Sequence, residues 1–128
     1  MKLFTWGYGN RLPDDLFFLA GLHKIKVVID IRRNPHYAWT PKWHAAYLSD
    51  FLGQKNISYF SYTELGNAGK TYKWEVIDND SAFQAIKHIK EEFYDENILL
   101  LCCEKDVEKC HRKEVAECFT DEREIEHL

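Results

Sequence analysis

The sequence contains no run of about 18 apolar residues, the length that a helix needs to cross a bilayer. The apolar stretch at its start is also too short and too soon interrupted to be a signal peptide. Linkers, internal repeats and low-complexity tracts are missing as well. We therefore expect a soluble, cytoplasmic protein whose residues 1–128 form one domain, long enough to bury a core without disulfides or a metal.

An excess of basic residues is also absent. The chain has 17 Lys and Arg against 21 Asp and Glu, a net charge of −4, which argues against a protein that coats duplex DNA by bulk electrostatics. The segment between Asp30 and Asp50 has no acidic residue, however, and its basic residues alternate with aromatic ones. These are Arg32, Arg33, His36, Tyr37, Trp39, Lys42, Trp43, His44 and Tyr47. One local surface is therefore predicted to be basic and aromatic.

Cysteine is present, but not in the pattern of a secreted disulfide framework. Cys102 and Cys103 are adjacent and lie in an apolar segment, so we expect free thiols. Cys110 and His111 are also adjacent, which is a poor arrangement for binding one ion, and the remaining thiols do not complete a usual zinc spacing. The spacing thus predicts no metal, and we expect no cofactor.

Hydrophobic patterning predicts five strands that alternate with four helices. The predicted strands cover residues 2–6, 25–31, 57–62, 98–103 and 124–128. The predicted helices begin at Pro13, at Pro41 with Thr40 as cap, at a Ser81 to Gln84 capping box, and at Cys110, the last one ending at Phe119. Such an alternation is typical of a three-layer α/β fold with a mostly parallel sheet and helices on both faces, Rossmann-like or flavodoxin-like.

The second predicted helix carries aromatic residues at helical spacing. Trp43 and Tyr47 fall on its apolar stripe with leucines, and Gly53 terminates it. We expect both aromatic side chains to face the core, which leaves only Tyr37 and Trp39, in the preceding loop, free for a ligand.

Polar residues follow four of the predicted strands, at residues 7–11, 30–35, 64–67, and 102–105 with 110–112. Parallel strands joined by right-handed crossovers place their carboxyl ends at one edge of the sheet. Ligands of α/β sheets bind at that edge. The four clusters are therefore predicted to form one site.

The same ordered residues resemble the domain of unknown function family numbered 488. The resemblance rests on Gly-x-Gly-Asn at 7–10, Asp30-x-Arg32 with Pro35, Glu64-Leu65-Gly66, and Leu101-Cys102-x-Glu104-Lys105 followed by Cys110-His111-Arg112. The last segment is the most specific part. The resemblance implies a compact three-layer α/β domain and no established activity. This chain departs from the pattern at Tyr8 and Gly9, where many relatives have Gly-His-Ser-Asn over the four positions.

The predicted site is rich in groups that bind anions. Arg32 and Arg112 are permanent cations with a fork geometry suited to carboxylate or phosphate, and the N-terminus of the last helix adds N–H donors. We expect an anionic small molecule or a nucleic acid as the partner. The predicted ligand-binding residues are Asn10, Arg32, Arg33, Tyr37, Trp39, Glu64, Lys105 and Arg112. The alternative is that Asp30 and Glu104 pair with the arginines in a purely structural network.

Four residues are candidates for catalysis. Glu104 and His111 are the predicted acid and base, with Asp30 as a second carboxylate, and Cys102 is a nucleophile if its thiolate is stabilised. The leading hypothesis is an enzyme that acts on a phosphate-bearing, nucleotide-like or nucleic-acid substrate by acid–base chemistry. Two alternatives stay open: a non-catalytic nucleotide or nucleic-acid binding module, and a structural interaction domain without a ligand.

Overall fold

The computed structural model describes residues 1–36 and 39–128. Its strands are β1 (Lys2–Gly7), β2 (Val27–Asp30), β3 (Ser58–Ser61), β4 (Ile98–Cys102) and β5 (Glu124–His127). Its α-helices are α1 (Pro13–Leu22), α2 (Ala45–Gln54), α3 (Asn79–Glu92) and α4 (Arg112–Glu117), and 3-10 turns occur at Pro41–Trp43, Thr63–Leu65 and Val107–Lys109. None of the helices in the described ranges is both long and apolar enough to cross a membrane.

All the strands pair in parallel, in the order β3-β2-β4-β1-β5. Alternate strand residues enter two separate buried clusters, one on each face of the sheet. The cluster that contains Phe4 and Leu99 packs against α1 and α2, whereas the cluster that contains Leu3 and Leu100 packs against α3 and α4. The predicted three-layer α/β fold is confirmed.

The connections between strands change sides of the sheet at the carboxyl ends of β1, β2 and β4, a place that we call the crevice. Strand β4 lies between β1 and β2. The chain leaves β1 and β2 toward helices on one face, but leaves β4 toward α4 on the opposite face. Where neighbouring strands send their connections to opposite faces, the diverging loops leave an opening that α/β proteins use for ligands. The polar residues after β1, β2 and β4 lie at this edge of the sheet.

The second predicted helix is interrupted. Pro41–Trp43 forms a 3-10 turn, and His44 is extended, with ψ of 144°, so that α2 begins only at Ala45. The N–H of Ala45 donates to the carbonyl of Pro35, 3.0 Å away, instead of to a preceding helical turn. The prediction that Trp43 faces the core is confirmed, but the prediction for Tyr47 is wrong, since 42% of its surface is exposed. The break at His44 disrupts the single helical stripe that the spacing predicted.

Two other helix starts differ from the sequence prediction. The N-cap of α3 is Asp78, whose carboxylate accepts from the N–H and Oγ of Ser81, so the helix begins before the predicted capping box. Helix α4 is shorter than predicted because Cys110 is extended and follows a 3-10 turn. The predicted edge strand at the end of the chain is confirmed as β5, parallel to β1.

Candidate functional site

The crevice holds two groups of side chains on opposite faces of the sheet rather than one continuous site. The arginine–tyrosine cluster, on the α1 and α2 face, consists of Tyr8, Asp30, Arg32 and Tyr59. The thiol–imidazole cluster, on the α3 and α4 face, consists of Cys102, Cys110 and His111.

Asp30 is the centre of the arginine–tyrosine cluster. It is fully buried and accepts from the Arg32 backbone N–H at 3.0 Å, from Arg32 Nε at 2.9 Å and from Arg32 Nη2 at 2.7 Å. The Tyr59 hydroxyl donates to the same carboxylate. Burial, followed by the charge of Asp30, raises the pKa of Tyr59. With its oxygens committed in this way, Asp30 orients Arg32 and is not available as a general base.

Arg32 retains one uncommitted nitrogen. Its side chain is only 7% exposed, and Nη1 is buried without a hydrogen-bond partner in the part of the chain that the structure describes. Burial favours the neutral form, but the hydrogen bonds and charge of Asp30 outweigh this and raise the pKa of Arg32, so the guanidinium stays charged. The guanidinium carbon lies 5.4 Å from the centre of the Tyr8 ring, which stacks on Trp43 at 4.4 Å. Burial and the neighbouring Cys103 raise the pKa of Tyr8 to about 12, so its hydroxyl is protonated at neutral pH.

In the thiol–imidazole cluster, hydrogen bonds fix the orientation of His111. Its Nε2 lies 3.0 Å from the carbonyl oxygen of Leu65 and 3.2 Å from that of Ile31. Carbonyl oxygens only accept, so Nε2 carries a proton and donates to them. Nδ1 therefore faces the thiols, 3.7 Å from Cys102 Sγ. His111 is 6% exposed and packs beside Trp74, which leaves its ring without the access to substrate that a general acid needs.

The two thiols of the cluster differ in acidity. A hydrogen bond from Cys102 lowers the pKa of Cys110 well below its usual value against the opposing effect of burial, and the Arg112 backbone N–H lowers it further. The same hydrogen bond, together with burial, raises the pKa of Cys102. Cys102 is buried, and the raised pKa of its thiol disfavours the thiolate, which argues against the sequence-based choice of Cys102 as nucleophile.

Although Cys110 and His111 are adjacent in the sequence, their side chains lie close together in space. Cys110 is extended, with ψ of 142°, whereas His111 is helical, with ψ of −10°. This change of backbone conformation lets both side chains turn to the same side, and a ligand atom of each lies within 4.8 Å of the other and of Cys102 Sγ.

Arg112 does not act as an anion clamp in this structure. It is fully buried, with Nε 3.2 Å from Thr5 Oγ1 and Nη2 3.1 Å from the carbonyl of Lys105, while Nη1 donates to the carbonyl of Glu104. Its role is to hold the loop after β4 against β1. The loop after β4 packs closely against the end of β1. A Cβ at Gly7 would lie 1.7 Å from the Glu104 carbonyl oxygen, so only glycine permits that approach.

The other predicted site residues that the structure describes lie at or near the protein surface. Asn10, Arg33, Glu104 and Lys105 are exposed, and Trp39 is fully exposed. Glu64 is half-buried and borders a cleft of about 350 Å³ together with Arg33. Tyr37, the remaining predicted ligand-binding residue, lies outside the described residues.

Comparison with protein families matches the chain to a family over most of its length. The model described as "Domain of unknown function DUF488" covers residues 14–119 of the 128 residues. The chain belongs to the DUF488 family. The match includes every residue of the thiol–imidazole cluster, and Asp30, Arg32 and Tyr59 of the arginine–tyrosine cluster. Comparisons with curated proteins and with solved structures give no match.

In this DUF488 protein, sequence reasoning missed Thr5 and Tyr59 as members of the site region, and it placed Cys110 there without a role. Tyr59 was identifiable, since alternation along β3 places it on the same face as Ile57. Thr5 gave a weaker signal as a lone polar residue inside an apolar strand. The partnership of Cys110 with Cys102 had no sequence signal, because it depends on the turn between β4 and α4.

The structure also gives this DUF488 protein a pH-sensitive contact at its last strand. Thr5 Oγ1 and His127 Nδ1 lie 2.6 Å apart. Burial, and then the positive charge of Arg112, lowers the pKa of His127 below its ordinary value of 6.5. The folded state therefore takes up a proton less readily than the unfolded chain. The contribution of neutral His127 to the free energy of unfolding is fully present above pH about 6.5, the pKa in the unfolded chain. It is lost as the pH falls through the pKa of His127 in the folded state.

We expect the urea midpoint of the wild type to fall more than that of His127→Gln when the pH is lowered through this range. Equal losses in the two proteins would contradict the role of His127. Because His127 is largely exposed, the difference between the two proteins is expected to be small.

Proposed function

We propose that this protein binds a phosphate-bearing, nucleotide-like or single-stranded nucleic-acid ligand at the carboxyl edge of its sheet. Arg32 and Arg33 would contact phosphate, and Trp39 would stack on a base. The observation that carries the proposal is the unpartnered Nη1 of Arg32, a charged donor that the described protein groups leave unsatisfied.

The buried, unpartnered Nη1 of Arg32 favours an oxygen atom of a ligand as its hydrogen-bond acceptor. A buried donor without an acceptor costs about 1–3 kcal/mol, and the other guanidinium nitrogens are fixed by Asp30. A phosphate oxygen at Nη1 would relieve that cost and meet a guanidinium already held in place, so little side-chain entropy would be lost on binding. Tyr8 covers the guanidinium, so the ligand would displace the Tyr8 ring as it enters.

The loop after β2 supplies features that suit a nucleotide. Trp39 is fully exposed, and Arg33 beside the crevice is exposed as well. No acidic residue lies between positions 30 and 50, so the loop presents positive charge in a protein that is acidic overall. Stacking of one base on an aromatic side chain contributes about 1–3 kcal/mol, enough to make a single exposed tryptophan a principal contact.

Binding accounts for the geometry better than acid–base catalysis does. The oxygens of Asp30 and the Nε2 of His111 are committed to protein partners, and only Glu104 remains exposed among the predicted acid–base residues. Catalysis stays a hypothesis from the sequence.

A cytoplasmic location is part of the proposal, because the four cysteines are all free and a reducing compartment would keep them so.

The test is the affinity of the full chain for a fluorescent oligothymidylate, measured by anisotropy at several salt concentrations. Trp39→Ala is expected to weaken binding by about tenfold, since loss of one stacked base is worth about 1–3 kcal/mol. Arg33→Ala is expected to weaken binding and to lower the salt slope by about 0.7, as expected for one phosphate contact to a single strand.

Two variants on α3 serve as matched controls. Phe83→Ala removes an exposed aromatic side chain and Lys87→Ala an exposed cation, both away from the crevice, and both should bind like the wild type. Absent or salt-independent binding, or equal losses in the controls, would refute the proposal. Adenosine monophosphate as competitor separates a mononucleotide ligand from a longer strand.

A further inference from the structure

We propose that Cys102, Cys110 and His111 bind one thiophilic metal cation of the zinc type, through the two Sγ atoms and the imidazole Nδ1. The three ligand atoms lie within 4.8 Å of one another, and all three residues are buried. The spacing in the sequence predicted no metal, but the turn between β4 and α4 brings the three groups together. This site is separate from the proposed ligand site, since it lies on the opposite face of the sheet.

The spacing of the ligand atoms suits tetrahedral coordination. With zinc–sulfur and zinc–nitrogen distances of about 2.3 and 2.05 Å, the sulfur and nitrogen at two corners of a tetrahedron lie about 3.6 Å apart. Cys102 Sγ and His111 Nδ1 are separated by 3.7 Å. An ion could therefore occupy the space between them with little movement of either side chain.

The orientation of His111 is the one that a metal ligand requires. Its Nε2–H donates to the carbonyls of Leu65 and Ile31, so the lone pair is on Nδ1, directed toward the thiols. Histidines that bind metals usually hold their second nitrogen in such a hydrogen bond, which fixes the tautomer and increases ligand basicity.

The donor set selects the class of cation. Two thiolates and an imidazole are soft and borderline ligands, which favour zinc or copper(I) and disfavour magnesium and calcium. Two thiolates also neutralise the charge of a divalent ion, which matters because the site is buried. Because only thiolates bind the ion, binding would release the thiol protons of the site to solvent.

A route to solvent lies beside Cys110. This residue borders an open cleft of about 320 Å³ that also contacts Glu108, Glu114 and Glu117. The three carboxylates would attract a cation toward the thiols, although Lys73 and Lys113 line the same cleft and offset part of that charge, Lys113 by pairing with Glu108. A water from the cleft could complete the fourth position, as in zinc sites with three protein ligands.

The test is a titration of the reduced, metal-free full chain with Zn²⁺ in competition with a chromogenic chelator. One equivalent is expected to bind. Cys110→Ala should weaken the affinity more than about 100-fold, since even residues that only orient a ligand cost 10- to 100-fold. Cys118→Ala is the matched control, because Cys118 lies outside the cluster and contacts the Glu114 carbonyl; it should keep the wild-type affinity.

A second measurement on the wild type does not depend on the folding of any variant. Co²⁺ added in place of Zn²⁺ should give a thiolate-to-cobalt charge-transfer band in the near ultraviolet together with the intense visible bands of tetrahedral cobalt. A cobalt spectrum without the charge-transfer band would overturn the proposal. So would a Zn²⁺ affinity that Cys110→Ala and Cys118→Ala change equally.

Discussion

Arg112→Ala is expected to lower the free energy of unfolding by at least about 3 kcal/mol, because three acceptors lose a donor worth about 1–3 kcal/mol each and a cavity is left behind. The acceptors are Thr5 Oγ1 and the carbonyls of Glu104 and Lys105. These contacts tie the loop after β4 to β1, so the loss should also loosen the crevice. Urea denaturation monitored by circular dichroism measures the effect.

Two further variants determine whether the donors of Arg112 are the cause. Arg112→Lys keeps the charge but supplies one nitrogen where the guanidinium supplies three, so it should restore only part of the stability. Lys105→Ala removes an exposed side chain and leaves the backbone carbonyl that Arg112 contacts, so it should change stability by less than about 0.5 kcal/mol. If Arg112→Ala were as stable as the wild type but no longer bound an anion, the sequence-based role of an anion clamp would be reinstated.

The fold was predictable because its main signals are local. The near-continuous apolar run that contains β2 indicated a strand covered on both faces, and β2 is buried throughout. The alternation of strands and helices then required parallel pairing and helices on both faces. Helix starts were less predictable, since Asp78 and Ser81 both have side chains that cap helices and only the tertiary context decides between them.

The division of the site into two clusters was not predictable from residue order. Side chains alternate between faces along each strand, so the face of a residue depends on the register between strands. Asp30 pairs with Leu101, which places Cys102 on the face opposite to Asp30. A register shifted by one residue would have put Asp30 and Cys102 on the same face. The sequence placed both at the correct edge but could not assign them to a face.

Asp30 and Arg32 form a buried ion pair on one face of the sheet. Asp30→Ala is therefore expected to lower the free energy of unfolding by about 3–5 kcal/mol. The variant leaves a charged guanidinium that is only 7% exposed without its carboxylate. It also removes the acceptor for the Tyr59 hydroxyl. Tyr59→Phe, which removes only that hydroxyl, should cost about 1 kcal/mol and serves as the control for the smaller contact.

Removing both charges should cost less than removing one. In Asp30→Ala with Arg32→Met, no unpaired charge remains and methionine fills much of the guanidinium's volume, so we expect the double variant to recover about 2 kcal/mol or more of the loss. Equal destabilisation in the single and double variants would mean that packing, not charge, makes Asp30 necessary. A folded double variant also isolates the role of Arg32 in binding. If the fold tolerates the loss of the pair but the oligonucleotide no longer binds, the buried arginine is retained for its ligand rather than for stability.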